Sequence, residues 1–510
     1  MSYKSQLKLF AKNRMGMAGA FIIIFFTLMA VFAPYLTSNP PAQTFVAGPW
    51  AVPNWATFIP LYSNLPPNIE AVSNNFNNWK INTYRNANST LQETVIPSSL
   101  VRTTRYTTDE AQVITVSSNV PAGMGEVSVL NMTYPFNYQY RPPYMFAFGT
   151  LIDPIKASNV SDLYVKFTLI APNGKTYALT SYKYIASSPV VIDSLDNGLM
   201  KNAWNAIFMA SDLTPVVLSS FGPSGFFLSM PARVMLNQTG TYKLNVQVIA
   251  FESSQPGYVK FSLADPYFFI YGRQYGLLGT DNNGRDLWSQ FVWGSRISIE
   301  VGLLASIFSV ALGLIIGLIA GMLKGIIEEF TMRVTDVFLV IPFLPLAIVV
   351  LFLLTQNAFL AKSLYFWLIV LFAILSWPSI ARVIRSQTLS LKERGYIEAS
   401  RALGAGNWHI IRKHIIPNVM GLVYANLALG VPGFILTEAA LDFLFPGAST
   451  TPTWGRILSK AYDHAASAVS FQFGWWWFIF PGLAIVLLSL AFVMVGYALD
   501  EIFNPRLRGQ

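Results

Sequence analysis

Long apolar runs constrain this sequence more than any other feature. Six of them lie at 17–36, 299–323, 334–354, 364–384, 419–436 and 477–499. Roughly 20 apolar residues in a helix cross the hydrocarbon of a bilayer. The expected fold is therefore an α-helical polytopic membrane protein with six transmembrane helices. Composition agrees: the chain is 53% hydrophobic and 12% charged, whereas soluble domains carry about 25% charged residues.

The first run stands apart from the rest. Lys4, Lys8, Lys12 and Arg14 precede it, which predicts a cytoplasmic N-terminus. It is longer than the h-region of a signal peptide, and Phe32-Ala33-Pro34-Tyr35 is a poor small-residue cleavage site, so an anchor is predicted. An even number of spans returns the C-terminus to the same side. Lys324, Arg333, the stretch from Arg382 to Lys413, Arg506 and Arg508 all fall on that inner side. The outer loops between spans are poor in Lys and Arg apart from Lys362, Arg456 and Lys460. Trp377, Trp454 and Trp475-Trp476-Trp477 sit near span ends, where aromatic belts form.

Residues 37–271 differ in character, being rich in Asn, Pro, Ser, Thr and Tyr. Leu163, Val165, Phe167 and Leu169 alternate, and so do Tyr242, Leu244, Val246 and Val248, followed by Val259, Phe261 and Leu263. Alternation of this kind marks half-buried strands. Asn173-Gly174 between two such runs predicts a type I′ hairpin turn. Asn173-Gly174-Lys175-Thr176 is not a phosphate loop, because Leu169 occupies the position of that motif's first glycine. The expectation is an extracytoplasmic β-rich domain, a β-sandwich, inserted after the first span. Sequons at Asn88, Asn131, Asn159 and Asn237 permit glycosylation without arguing for it.

Several function classes drop out. The +9 net charge is spread through short loops rather than gathered in one stripe, which excludes a nucleic-acid partner. There is no cysteine, and His409, His414 and His464 are the only histidines, so no metal site is expected. No G-x4-G-K-[ST], G-x-S-x-G or H-E-x-x-H motif occurs, and no catalytic residue is expected. Glu328 and Glu329, beside Lys324 and Arg333, form a solvated ion-pair group.

The third inner loop is the most informative stretch. Glu398 to Leu403 favours a short helix. Gly404 and Gly406 stop it where a left-handed residue belongs. Asn407 is placed to cap a second helix, and Pro417 breaks it or starts the next. A compact helix–turn–helix at the inner surface is either a solvated connector or a docking element.

The segment Glu398-Ala399-Ser400-x3-Gly404-x12-Pro417 resembles the EAA loop of ABC importer permeases, Glu-Ala-Ala-x3-Gly-x9-Ile-x-Leu-Pro. It departs from that pattern at Ser400, His414 and Ile416. Four further stretches are similar to oligopeptide and dipeptide permeases of the second-subunit type. They are Leu278-Gly279-Thr280-Asp281-x2-Gly284-Arg285-Asp286, Met332 to Asp336, Trp377 to Arg382, and Thr437 to Leu444. The tail motifs Phe480-Pro481-Gly482 and Asn504-Pro505-Arg506 fit as well. The resemblance covers 1–38 and 272–510, so 37–271 is the main departure.

The resemblance implies an ABC importer permease fold divided as 1–36, 37–271 and 272–510, with a coupling loop at 386–418. It implies that Glu398, Ala399, Ser400, Arg401, Gly404 and Pro417 meet a partner ATPase. Two ATP-binding subunits carrying ATP and magnesium, a second permease subunit and an extracytoplasmic solute-binding protein would complete the system; this chain itself would bind no cofactor. The solute would be a peptide or a similar polar molecule, and the site the plasma membrane. Asp281, Gly284, Arg285 and Asp286 form either a turn tying the β domain to the second span or an outer-mouth contact. Glu438 and Asp442 either touch substrate, as intramembrane carboxylates often do, or lie beyond the end of the fifth span. A rival reading is a multi-span receptor whose external β domain binds a partner, although one anchor would suffice for that; a membrane-embedded hydrolase lacks its catalytic groups. Protease added to intact cells is expected to cleave within 37–271; cleavage confined to inverted vesicles would overturn the topology.

Overall fold

The computed structural model describes residues 9–72, 76, 78–83, 88–94, 111–120, 122–123, 126–158, 160–185, 205–210, 231–252, 255–323, 325–445, 451–466 and 474–503. The chain forms two compact units, Met1–Gln43 with Leu287–Gln510, and Thr44–Asp286.

The first unit is helical. Its main helices are α1 (Arg14–Val31), α2 (Leu287–Met322), α3 (Ile326–Val340), α4 (Phe343–Thr355), α5 (Leu364–Lys392), α6 (Gly395–Ala402), α7 (Asn407–Leu444), α8 (Trp454–Ala466) and α9 (Trp475–Phe503). Five of them, α1, α2, α5, α7 and α9, are long and apolar enough to span a bilayer. The run at 334–354 is not one straight helix: α3 and α4 meet at 81°. Pro342 explains the break, since the residue before a proline is pushed out of the helical region, and Ile341 is extended at φ −66°, ψ 124°. The sixth span therefore exists only as this bent pair. Four of the other spans, α2, α5, α7 and α9, outrun their apolar runs. Helix α2 starts at Leu287 rather than 299, and α7 continues past 436 to Leu444 despite the internal Pro432.

Lipid chains are as apolar as leucine, so helices in a bilayer associate through close packing of small residues. Gly313, Gly317 and Gly321 form such a row on α2. A Cβ on any of them would come within 2.6–2.8 Å of Ile380, of the Ala381 carbonyl or of Thr388 on α5. The buried Lys392 at the end of α5 donates from Nζ to the carbonyls of Gly321 (3.2 Å) and Met322 (2.8 Å), capping α2. Glu328 does not merely sit in solvent with its neighbours. It pairs with Arg385 of α5, Asp336 pairs with Arg382, and Glu329 keeps the exposed partner Arg333 at 3.6 Å. Lys324 lies outside the described residues.

The second unit is built on strands β1 (Ile69–Val72), β2 (Lys80–Thr83), β3 (Asn88–Thr94), β4 (Ala111–Val120), β5 (Glu126–Tyr138), β6 (Met145–Ser158), β7 (Val160–Ile170), β8 (Thr176–Ile185), β9 (Asn205–Ala210), β10 (Gly240–Glu252) and β11 (Gly257–Tyr271). They form two antiparallel sheets, β3-β4-β11-β6-β9 with β1 on β11, and β2-β5-β10-β7-β8. Alternation put the core where expected: Val165, Phe167, Leu169, Tyr242, Leu244, Val246, Val248, Val259, Phe261 and Leu263 are buried in a single cluster shared by both sheets. The β7–β8 connection is a hairpin but not of type I′. Only Gly174 has positive φ, +82°, and Ala171 pairs with Lys175, giving the three-residue turn with a glycine bulge.

Below the sheets, 45–54 is laced to 272–284 by backbone bonds, among them Gly48 N–H to Gly272 O (2.9 Å), Val52 to Arg273 (2.8 Å) and Thr280 to Ala51 (3.0 Å). Gly279 sits at φ +74°, and a Cβ there would lie 2.1 Å from the Ala51 carbonyl oxygen. Gly279→Ala is expected to destabilise this unit by more than the ~1–3 kcal/mol of a left-handed non-glycine residue, read as lost protease resistance on heating. Gly174→Ala, with open space around it, should cost only the backbone strain; equal effects would contradict the clash.

Candidate functional site

Helix α6 and the start of α7 form the predicted helix–turn–helix. Helix α6 opens with Glu398 in its first turn and closes with Arg401 in its last, each favourable to the helix dipole. Its end is a Schellman motif: Ala405 N–H bonds Ser400 O (3.1 Å) and Gly404 N–H bonds Arg401 O (2.9 Å). Gly404 holds φ +88° there, as expected. Gly406 and Asn407 differ from expectation, because Gly406 is the cap of the next helix and Asn407 already lies inside it, making no side-chain cap. Pro417 falls in the first turn of the regular α-helix after a π-helical turn at Ile411–Ile415. Such turns often mark functional segments.

Burial separates two faces of this loop. Ile397, Ile410 and Ile415 are buried in a cluster with Met322, Ile384 and Val419, anchoring the loop to the bases of α2, α5 and α7. Glu398, Ala399, Arg401, Gly404 and Pro417 are exposed and Ser400 is half-buried. Exposed with them are Leu403 (89%) and Trp408 (72%), two apolar side chains that the motif comparison does not single out. Their signal is physical: large apolar groups on a polar loop have no reason to face water unless something covers them.

The glycine-rich turn before α2 is self-contained. Asp281 is fully buried; its Oδ1 accepts the N–H groups of Asn283 (2.9 Å) and Arg285 (3.0 Å), and its Oδ2 accepts Arg285 Nε (2.9 Å). Gly284 supplies φ +64° and Thr280 forms a bridge with Asp286. Within this turn Asp281 and Arg285 satisfy one another.

Glu438 and Asp442 lie inside α7, so the helix does not end before them. Glu438 is fully buried and accepts Ser298 Oγ of α2 at 3.2 Å, and Asp442 accepts the hydroxyl of Thr453 just before α8. They join three elements. Neither lines the cavity of about 420 Å³ between α2, α4, α5 and α7. That cavity is walled by Ser309, Ser376, Ser379, Asn426 and Thr437 together with Phe343, Leu429, Phe434 and the glycines 430 and 433. Among the described residues its wall carries no charge. Ser309, Ser379, Asn426 and Thr437 donate to carbonyls on their own helices, so the oxygens they present are acceptors. Apolar periodicity alone did not pick out this set.

Comparison with known proteins decides the family. Residues 313–509 match the family of binding-protein-dependent transport system inner membrane components, and residues 4–67 match the N-terminal TM domain of oligopeptide transport permease C. A putative peptide transport system permease protein of Brucella suis is 35% identical over 235 residues, 46% of this chain and 74% of the relative. The chain belongs to this permease family. The oligopeptide transport system permease protein OppC of Haemophilus influenzae is likewise 35% identical, over 46% of this chain and 71% of its own length. Among solved structures, a carbohydrate-binding module of the β-sandwich superfamily aligns with 38% of this chain and 60% of its own, at 12% identity and a TM-score of 0.22, too slight to carry an argument. The permease is thus a multi-pass membrane protein, a transport subunit of an ABC peptide transport family.

If Glu438 ties α2 to α7, Glu438→Ala should lower the thermal midpoint in detergent, at a cost of about 1–3 kcal/mol for the orphaned Ser298 hydroxyl plus a cavity term. Glu438→Gln should lose much less. A Glu438→Ala protein as stable as the parent would contradict that role.

Proposed function

We propose that this chain is one half of the translocation path of an ATP-driven importer for peptides or similar polar solutes. Family membership supports the transport role. The carrying observation for coupling is the exposed face of the α6–α7 loop, where the EAA residues Glu398, Ala399, Ser400, Arg401, Gly404 and Pro417 flank exposed Leu403 and Trp408. We assign this face to one of two ATP-binding subunits, which would hold ATP and magnesium. Ile397, Ile410 and Ile415 root the loop among the spans, so a partner state that binds one loop position better shifts the spans with it. A second permease subunit would close the open side of the cavity, and a solute-binding protein would deliver solute from outside.

The uncharged, acceptor-rich cavity suits a solute that carries N–H donors along its length, as a peptide does. We place Thr437 on the path and assign Glu438 and Asp442 to the wall that supports it. The basic residues around α3, α5 and the loop favour a cytoplasmic position for that face and for both termini, which puts the β unit outside the cell membrane. This reading explains why Gly404 is needed for its backbone angle and still has open space around it.

Gly404→Asp tests the assignment. Aspartate tolerates the left-handed conformation better than most residues, so insertion and folding should survive. A charge beside Leu403 should abolish co-purification of the ATPase and reduce uptake to background. Retention of both ATPase binding and uptake would remove the loop from the coupling role.

A further inference from the structure

The Thr44–Asp286 unit carries an apolar patch that none of the roles above uses. It lies on two 3-10 turns, Asn54–Phe58 and Pro60–Tyr62, and on the neighbouring turn at Leu277. Trp55 Nε1 donates to the Leu277 carbonyl (2.8 Å) and Asn54 N–H to Gly276 O (3.0 Å), which holds these pieces together. Ala56 and Tyr62 are buried and pin the turns from beneath. Phe58 (90% exposed), Leu277 (54%), Leu61 (44%) and Ile59 (38%) face outward. No charged residue occurs in 54–62 or 275–278.

One arginine borders the patch. Arg141 donates from Nη1 to Leu61 O at 3.0 Å. Away from the patch, the half-buried guanidinium of Arg273 is taken up by Pro142 O (3.2 Å) and Tyr144 Oη (2.7 Å). Exposed Arg141 has no carboxylate partner among the described residues. An apolar, aromatic face with a guanidinium at its edge is the pattern of a surface lying at a bilayer interface, where rings enter the headgroup layer and the guanidinium meets phosphate.

We propose that this patch rests on the lipid headgroup region and anchors the β unit to the membrane surface. The chain keeps it within reach. Leu277 precedes Leu287, the first residue of α2, by ten residues, a span of at most ~35 Å when fully extended. Asn54 follows Leu36, the end of the first apolar run, by eighteen residues. A solute-binding protein would leave Phe58 in water between visits, and a protein partner would not by itself explain Arg141 without counter-charge; the bilayer answers both.

The sequence has no cysteine, so Phe58→Cys, Leu277→Cys and, at the exposed β7–β8 hairpin, Lys175→Cys each give one labelling site in the full chain. Each protein carries an environment-sensitive fluorophore and is placed in nanodiscs of phosphatidylcholine and phosphatidylglycerol. Labels at 58 and 277 are expected to emit to the blue of the label at 175. They should lose most of their emission to lipid spin-labelled near the headgroup and resist aqueous iodide. Quenching by iodide as strong as at 175 would overturn the proposal. So would protection from both quenchers, which would mean that protein covers the patch.

Discussion

In the helical unit the row of Gly313, Gly317 and Gly321 lies against α5 with no room for a Cβ. Much of the site follows from it. It seats Trp377, Ile380 and Ile384 of α5 against α2, and so sets where Ser376, Ser379 and Ser309 face the cavity. It also brings Lys392 onto the last carbonyls of α2. The cluster of Ile384, Ile397, Ile410 and Ile415 then hangs the α6–α7 loop from the same pair. In a bilayer, where apolar surface alone drives no association, such packing carries the weight that hydrophobic burial carries in water.

Around that contact the polar groups are placed by depth. Arg385 and Arg382 hold α3 through Glu328 and Asp336. Inside the spans, Glu438 has Ser298 and Asp442 has Thr453, because an unpartnered polar group in hydrocarbon is costly. Among the described residues the cavity wall is uncharged and sets Ser, Thr and Asn side chains beside Phe and Leu.

How much was legible depended on whether the signal was local. Strand alternation is local, and every described residue of the Leu163–Leu169, Tyr242–Val248 and Val259–Leu263 patterns that has an assigned burial lies in the shared core. The Gly404 stop is local too, and the Schellman bonds realise it. The break at Pro342 was written in the sequence but hidden inside an unbroken apolar run. Helix α8 was missed because Trp454 and Ile457 are buried on one face only, amid polar residues that read as loop. The partners of Glu438 and Asp442 were out of reach, since Ser298 is 140 residues away. The motif resemblance resumed at 272, yet the N-terminal family match runs to residue 67, and backbone bonds join 45–54 to 272–284. The base of the β unit thus unites two stretches that match or resemble the family, with the eleven described strands carried between them.

The central claim is that ATP hydrolysis in partner subunits moves peptide across the membrane through this chain. The direct measurement is accumulation of labelled peptides, with labelled sugars in parallel, by liposomes holding the complete reconstituted complex. The account predicts accumulation of peptides that requires both ATP and this subunit and that greatly exceeds accumulation of sugars. Peptide accumulation that persists without ATP, or without this subunit, would contradict it.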